Sequence, residues 1–241
     1  MEFRSFSFKE TNLRFRVEDP DALIKEVLHQ RKLLEAYIQR YPRFLTALSP
    51  LPPLPDAPSL ALDMHHASEV TGVGPMAAVA GTLAERAARA GRGIVENGGD
   101  IFILTQDTVV LGIYAGKNPL SGTLGFRIEA DQTPIAVCSS SGRMGHSLSF
   151  GNADLVTVFS RSGALADAAA TLGGNLVQGT RDIEPTLEQL CALPDILGAF
   201  IVVNGKVGFL GEVPPLISIR DQAFHRKITR DFRSGVTLED L

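Results

Sequence analysis

Between residues 93 and 139 five short apolar segments succeed one another with only turn chemistry between them. Gly93 to Glu96, Asp100 to Thr105, Thr108 to Ala115, Leu124 to Glu129 and Pro134 to Ser139 each read as a strand. A parallel pair requires a crossover of a dozen or more residues, so strands spaced this closely pair antiparallel. A doubly wound arrangement is thereby excluded. The fold class expected is α+β, a largely antiparallel sheet with packed helices interspersed irregularly.

The flanking segments fit that frame. Phe3 to Phe8 and Leu13 to Val17 alternate at period two around "KETN", a hairpin signal. Asp19 and Pro20 then open a helix that runs to about Arg40, with Leu23, Ile24, Val27, Leu34 and Ile38 as its apolar stripe. Residues 49–58, "SPLPPLPDAP", carry five prolines and exclude regular helix or central strand. This division predicts a leading hairpin and helix module over 1–48, a proline-rich connector over 49–59 and an α+β core over 60–241. Within the core, helices are expected at Pro75 to Ala90, Gly163 to Leu172 and Pro185 to Leu193, and a further strand at Leu155 to Phe159. A last hairpin, Ala199 to Val203 with Val207 to Leu210, closes on "NGK". The face of the helix at 75–90 is mostly alanine, so a neighbour can approach it closely.

A formal charge of −4 argues against sequence-independent nucleic-acid binding, which needs a basic footprint. The basic stretch "RDQAFHRKITRDFRSG" near the end reads as a solvated surface. The two cysteines have neither zinc-site nor disulfide-framework spacing. The first residues alternate charge and apolarity where a secretory signal needs an unbroken apolar run, and no run approaches membrane-span length. A cytoplasmic protein with small-molecule, nucleotide or protein partners is expected, with neither nucleic acid nor membrane among them, and a homodimer is admitted.

Four stretches carry residues suited to chemistry. In "SGALADAAATLGG", Asp167 and Thr171 stand one helical turn apart, and a carboxylate with a hydroxyl offers two hard oxygen ligands to a magnesium ion that keeps waters and substrate phosphates. They equally describe a helix surface with Thr171 bonding its own backbone. In "VENGGDIFIL", Gly98 and Gly99 allow positive φ and a close ligand approach, Asp100 stands at the mouth of the next strand, and Asn97 could read a heteroaromatic edge. A tight turn with local side-chain bonds is the alternative. In "CSSSGRMGHSLSFGNADLVTVFS", about a dozen small polar residues interrupt two strands, where hairpin loops usually have two to five. Ser140, Ser141 and Gly142 could cradle phosphate oxygens, and His146 could act as general base or acid. Finally, His65 and His66 in "LDMHHASEV", taken as strand, point to opposite faces and could not share one metal.

In chain order, the alanine-rich helix, "NGGDI", "SSSG", a histidine and "ADAAAT" resemble the motifs of the ApbE-like family of FAD:protein FMN transferases. The similarity covers about residues 70 to 210, and its nearest counterpart is a short cytoplasmic subgroup. It implies an ApbE-like α+β fold, a flavin dinucleotide (FAD) site and Mg²⁺ on the diphosphate. By that resemblance Asp167 and Thr171 would bind the metal with a main-chain carbonyl at Ala77 or Ala78. Gly98, Gly99 and Asp100 would lie beside the flavin, while Ser140, Ser141 and Gly142 would match the T-S-G segment. His146 would stand for the family histidine. The implied reaction joins FMN to a protein threonine or serine and releases AMP. Two features differ from the transferase pattern: "GPMAAVAGTLA" stands where G-G-I-A-K-G-Y is usual, and "GHSLSFGNAD" stands where H-I-x-D-P-x-T-G is usual. A ligand-binding member without catalysis, or an assembly subunit using the polar loops as an interface, are the other expectations.

Overall fold

In a computed structural model that describes residues 2–116, 118–142 and 151–219, eleven strands and six α-helices are arranged in three layers. In chain order these are β1 (Arg4–Phe8), β2 (Thr11–Val17), α1 (Pro20–Arg40), α2 (Arg43–Thr46), α3 (Ser59–Thr71) and α4 (Val79–Gly91), the last preceded by a 3-10 turn at Pro75–Ala78. There follow β3 (Gly93–Asn97), β4 (Asp100–Ile103), β5 (Val109–Gly112), β6 (Leu124–Ile128), β7 (Ile135–Ser140), β8 (Leu155–Ser160) and α5 (Gly163–Leu176). The described chain closes with α6 (Ile183–Cys191), β9 (Ile196–Val203), β10 (Lys206–Gly211) and β11 (Leu216–Ser218).

An eight-stranded sheet in the order β1-β2-β3-β4-β7-β8-β9-β10 forms the middle layer, and every neighbouring pair is antiparallel. The closely spaced strands therefore pair as their spacing requires. One face carries α1, α4, α5 and α6 over a core that includes Phe15, Val27, Phe102, Val156 and Ala169. The other face is covered by a three-stranded sheet, β11-β6-β5, where Phe126 meets Phe159 and Phe200 edge-to-face at 5.0 and 5.2 Å. Strand β8 is buried along its whole length because both faces are covered, which is why "LVTVFS" reads as a continuous run.

The first hairpin joins the same sheet. β2 pairs with β3, Phe15 opposite Val95, and α1 packs on α4. Asp19 caps α1 by accepting from the Ala22 amide at 2.9 Å, and Pro20 occupies its first turn. A third cluster of apolar side chains lies among the helices and contains Tyr37, Phe44, Leu60, Met64 and Ala168.

Two expectations are corrected. The "LDMHHASEV" segment is helical, within α3, so the strand geometry assumed for His65 and His66 does not apply. His65 is buried and His66 is exposed. The helix expected from Pro75 begins instead as a 3-10 turn and becomes α-helical at Val79. The reason is a tertiary contact: the Gly81 amide, which a helix starting at Pro75 would turn to the Ala77 carbonyl, donates to Asp167 instead.

Candidate functional site

Four elements meet at the helical end of strands β3, β4 and β7. The β3–β4 turn is two residues long, with Asn97 opposite Asp100 and positive φ at Gly98 (65°) and Gly99 (106°). A Cβ built on either glycine meets nothing within 4 Å, so the turn faces open space. Asn97 donates from Nδ2 to the Ala80 carbonyl at 3.1 Å, which ties this turn to the start of α4. Asp100 accepts from the Ser139 amide at 3.2 Å, which ties it to the end of β7. Asp167, on α5, accepts from the Gly81 amide at 2.8 Å. The glycine turn, the serine strand end and the acidic helix edge thus converge on one junction.

Contact between α4 and α5 is what brings Asp167 there. A Cβ on Gly81 would lie 2.2 Å from the Gly163 carbonyl oxygen, and one on Gly163 would lie 2.3 Å from that of Gly81. The helices therefore cross with bare backbones in contact, the close approach foreshadowed by the alanine face. Glu85 secures the crossing by accepting from the Gly163 amide at 2.7 Å, at the positive end of α5. Gly81, Gly163 and Glu85 were not singled out by sequence reasoning. Only the small-residue pattern hinted at the first two, and nothing local marks Glu85.

The junction is electrostatically loaded. Asp100 is buried, and desolvation above all, opposed by the bond from Ser139 and with the Glu96 charge adding, pushes its carboxyl up to about 7. Burial and the Asp100 charge push Asp167 well above the usual carboxylate range, against the lowering effect of the Gly81 and Ala80 amides. Beneath them the buried Cys138 thiol donates to the Gly163 carbonyl at 3.7 Å, and burial, with the Asp100 charge adding, keeps it protonated. Ser140 adds a buried hydroxyl that has no hydrogen-bond partner among the described residues.

Thr171 lies half-buried one turn beyond Asp167. The hydroxyls of Thr71 and Thr82 bond the carbonyl four residues back, and no such bond ties Thr171. Ala78 is less available as a ligand than expected, since its carbonyl accepts from Thr82. The Gly142 amide donates to the Ala153 carbonyl at 3.0 Å, so it is not an open phosphate donor. Ser141 is buried beside it. His146 lies outside the described residues. His65 belongs to a different cluster, where Nε2 meets the Tyr37 hydroxyl at 2.9 Å and Nδ1 meets the Leu51 carbonyl at 2.8 Å.

The oxygen donors suit a hard cation. Two crowded carboxyls accept from main-chain amides, the Thr171 hydroxyl stands one turn away, and the Ala77 carbonyl is relieved of its helical partner. Among the described residues no group of three or more His, Cys, Asp or Glu side chains could hold a metal unaided, so a bound ligand would have to complete the shell. A separate open depression of about 390 Å³, lined by Gln178 to Asp182 and Asn204, contains none of these residues. Among the described residues no helix is long and apolar enough to cross a membrane.

Comparison with known proteins shows the family and the fold. The family profile described as AbpE bacteria matches residues 4–207. A UPF0280 protein of Methanococcus aeolicus is 41% identical over 228 residues, covering 89% of this chain and 92% of its own. The UPF0280 protein of Methanocaldococcus jannaschii is 41% identical over 220 residues, covering 87% and 90%. Among solved structures, the flavin transferase ApbE of Vibrio cholerae superposes with a TM-score of 0.52 at 13% identity, covering 88% of this chain and 96% of its own. The ApbE protein of Thermotoga maritima does so with a TM-score of 0.51 at 12% identity, covering 87% and 97%.

Proposed function

Because the chain belongs to the family described as AbpE bacteria, alongside the UPF0280 proteins, and has the ApbE fold, we propose that it binds FAD with Mg²⁺ at the α4–α5 junction and transfers FMN to a protein threonine or serine. The observation that carries this reading is the convergence of Asp167, Asp100 and the Gly98–Gly99 turn through three main-chain bonds. Asp167 and Thr171, with the Ala77 carbonyl, would hold the cation. When bound, Mg²⁺ would neutralise charge on the diphosphate.

In the transfer, the acceptor hydroxyl oxygen bonds to the FMN-side phosphorus, the bond from that phosphorus to the bridging oxygen breaks, and AMP departs with that oxygen. The hydroxyl proton must reach a base, for which His146 is the candidate. The protein's part is mainly positioning. The open turn at Gly98 and Gly99 lets the flavin approach the main chain, Asn97 fixes that turn to α4, and the buried Ser140 hydroxyl can donate to a ligand oxygen.

One observation favours a second reading, binding without transfer. The entry to α4 presents Met76, Ala77, Val79 and Ala80, half-buried, with neither a lysine for phosphate nor an aromatic ring for stacking. The two readings separate in one experiment with FAD, MgCl₂ and a threonine-bearing acceptor domain. Transfer predicts AMP in the supernatant and an acceptor heavier by one FMN less a water. Binding alone predicts a raised Tm, about 2.7 kcal/mol of stabilisation at 100 times Kd, with no AMP. The absence of both AMP and a Tm shift would refute both readings.

A further inference from the structure

His65 was left over by the site, and its surroundings specify its protonation. The proline-rich segment 49–58 has five residues without an amide hydrogen, so it has few means of bonding to the helices beneath it. Beside the Arg40–Asp56 ion pair, two bonds to the Tyr37–His65 pair fasten it. The Leu51 carbonyl accepts from His65 Nδ1 at 2.8 Å, and the Leu54 amide donates to the Tyr37 hydroxyl at 3.1 Å. A carbonyl can only accept, so Nδ1 carries the hydrogen. The Tyr37 oxygen already accepts from Leu54, and its hydrogen points to His65 Nε2 at 2.9 Å. The chain of donors runs Leu54 to Tyr37 to His65 to Leu51, and it closes only if Nε2 is bare.

Adding a proton to Nε2 sets two hydrogens against each other. The Tyr37 hydroxyl must then turn away, and Tyr37 is fully buried, with Tyr41, Phe44 and His65 rings around it. We infer that neutral His65 clasps the strap 49–58 onto α1 and α3, and that its protonation releases the strap together with the support it gives the entry turn of α4. The connection to that turn runs through the end of α2: Ala47, its C-cap residue two positions before the strap, has its carbonyl oxygen 1.8 Å from where a Cβ on Gly74 would stand. Gly74 immediately precedes the 3-10 turn that becomes the α4 wall of the junction.

Among the described residues no carboxylate pairs with His65 to offset the added proton. From α1 the groups facing this cluster are Tyr37, Tyr41 and Arg40, the last over the Tyr37 ring and paired with Asp56 of the strap. α2 contributes Phe44, and α5 contributes Ala164 and Ala168. On α3 itself Asp63 is paired with Arg86 of α4, and His66 and Glu69 are exposed. Burial accordingly lowers the His65 pKa, with the Leu51 bond opposing. The closed strap binds the proton more weakly than the open one, so closure is complete above about pH 6.5 and weakens as pH falls toward the lowered value.

This inference does not depend on what the junction binds, and its test reads the strap. Amide exchange of Leu54 is followed from pH 7.5 to 5, corrected for intrinsic exchange. Opening should increase toward tenfold per pH unit below about 6.5 in the native protein. His65→Gln should show no such slope. Where that variant fails to fold, Tyr37→Phe decides: it removes the phenol that requires a bare Nε2, so the His65 titration followed by NMR should move to higher pH. A flat native profile, a His65→Gln profile with the native slope, or a Tyr37→Phe titration that does not move would each overturn the clasp.

Discussion

Gly81→Ala should lower stability by about 2–3 kcal/mol, or roughly 5–10 °C in Tm, although alanine is the better helix former by about 1 kcal/mol. The added methyl would lie 2.2 Å from the Gly163 backbone oxygen and 2.8 Å from the Asp167 Cβ. Neither can swing aside as a side-chain tip would. α5 must therefore slide away from α4, stretching the Gly81–Asp167 and Glu85–Gly163 bonds together. Gly179→Ala is the control, because a Cβ there meets nothing within 4 Å. It should be neutral within about 0.5 kcal/mol. Thermal melts of the two variants side by side check the helix crossing, and an unaffected Gly81→Ala would show that the backbones are not in contact.

Asp100→Asn should stabilise the ligand-free protein, and its advantage over the native chain should be larger at pH 8 than at pH 5 by about 2 kcal/mol or more. In the folded chain the Asp100 carboxyl is raised to about 7 from the ordinary 3.8. The folded state thus holds this proton more tightly than the unfolded state. Its contribution is fully present below about pH 3.8 and is lost as pH rises through 7, at up to about 1.4 kcal/mol per pH unit. Asparagine keeps an oxygen for the Ser139 amide and carries no charge to bury. The Asp167 carboxyl has a shift of the same sign, so losing the Asp100 charge also relieves Asp167. Urea melts at the two pH values measure the difference. An Asp100→Asn protein less stable than native at pH 8 would contradict the buried, raised carboxyl.

The legible parts of this protein were those specified by neighbours in sequence. Alternation and turn glycines identified β3, β4 and their Gly98–Gly99 turn, and the "NGK" hairpin appears with positive φ at Asn204 and Gly205. Asp167 and Thr171 were legible as a pair because a helix places them one turn apart. The start of α4 was not, since its amides are claimed by a carboxylate 86 residues away. Helix α3 escaped for a related reason. Its buried face includes His65, Ser68 and Thr71, polar residues whose bonds to Leu51, Val73 and Ala67 make burial tolerable, and Pro58 precedes it without a side-chain cap. Inclusion of the first hairpin in the main sheet rests on β2 meeting β3 across some 80 residues, a pairing no local pattern encodes. Cys138 and Glu85 likewise acquire their places only through tertiary contact.

The central claim is that the junction of Asp167, Asp100 and the glycine turn is a cation-assisted flavin nucleotide site. The most direct measurement is an FAD titration by isothermal calorimetry, with MgCl₂ and then with EDTA, for the native protein and for Asp167→Ala. The native protein should bind FAD at least about tenfold more tightly with Mg²⁺, a difference of about 1.4 kcal/mol, and Asp167→Ala should bind equally weakly in both buffers. FAD binding that ignores Mg²⁺ in the native protein, or an Mg²⁺ dependence that survives in Asp167→Ala, would contradict it.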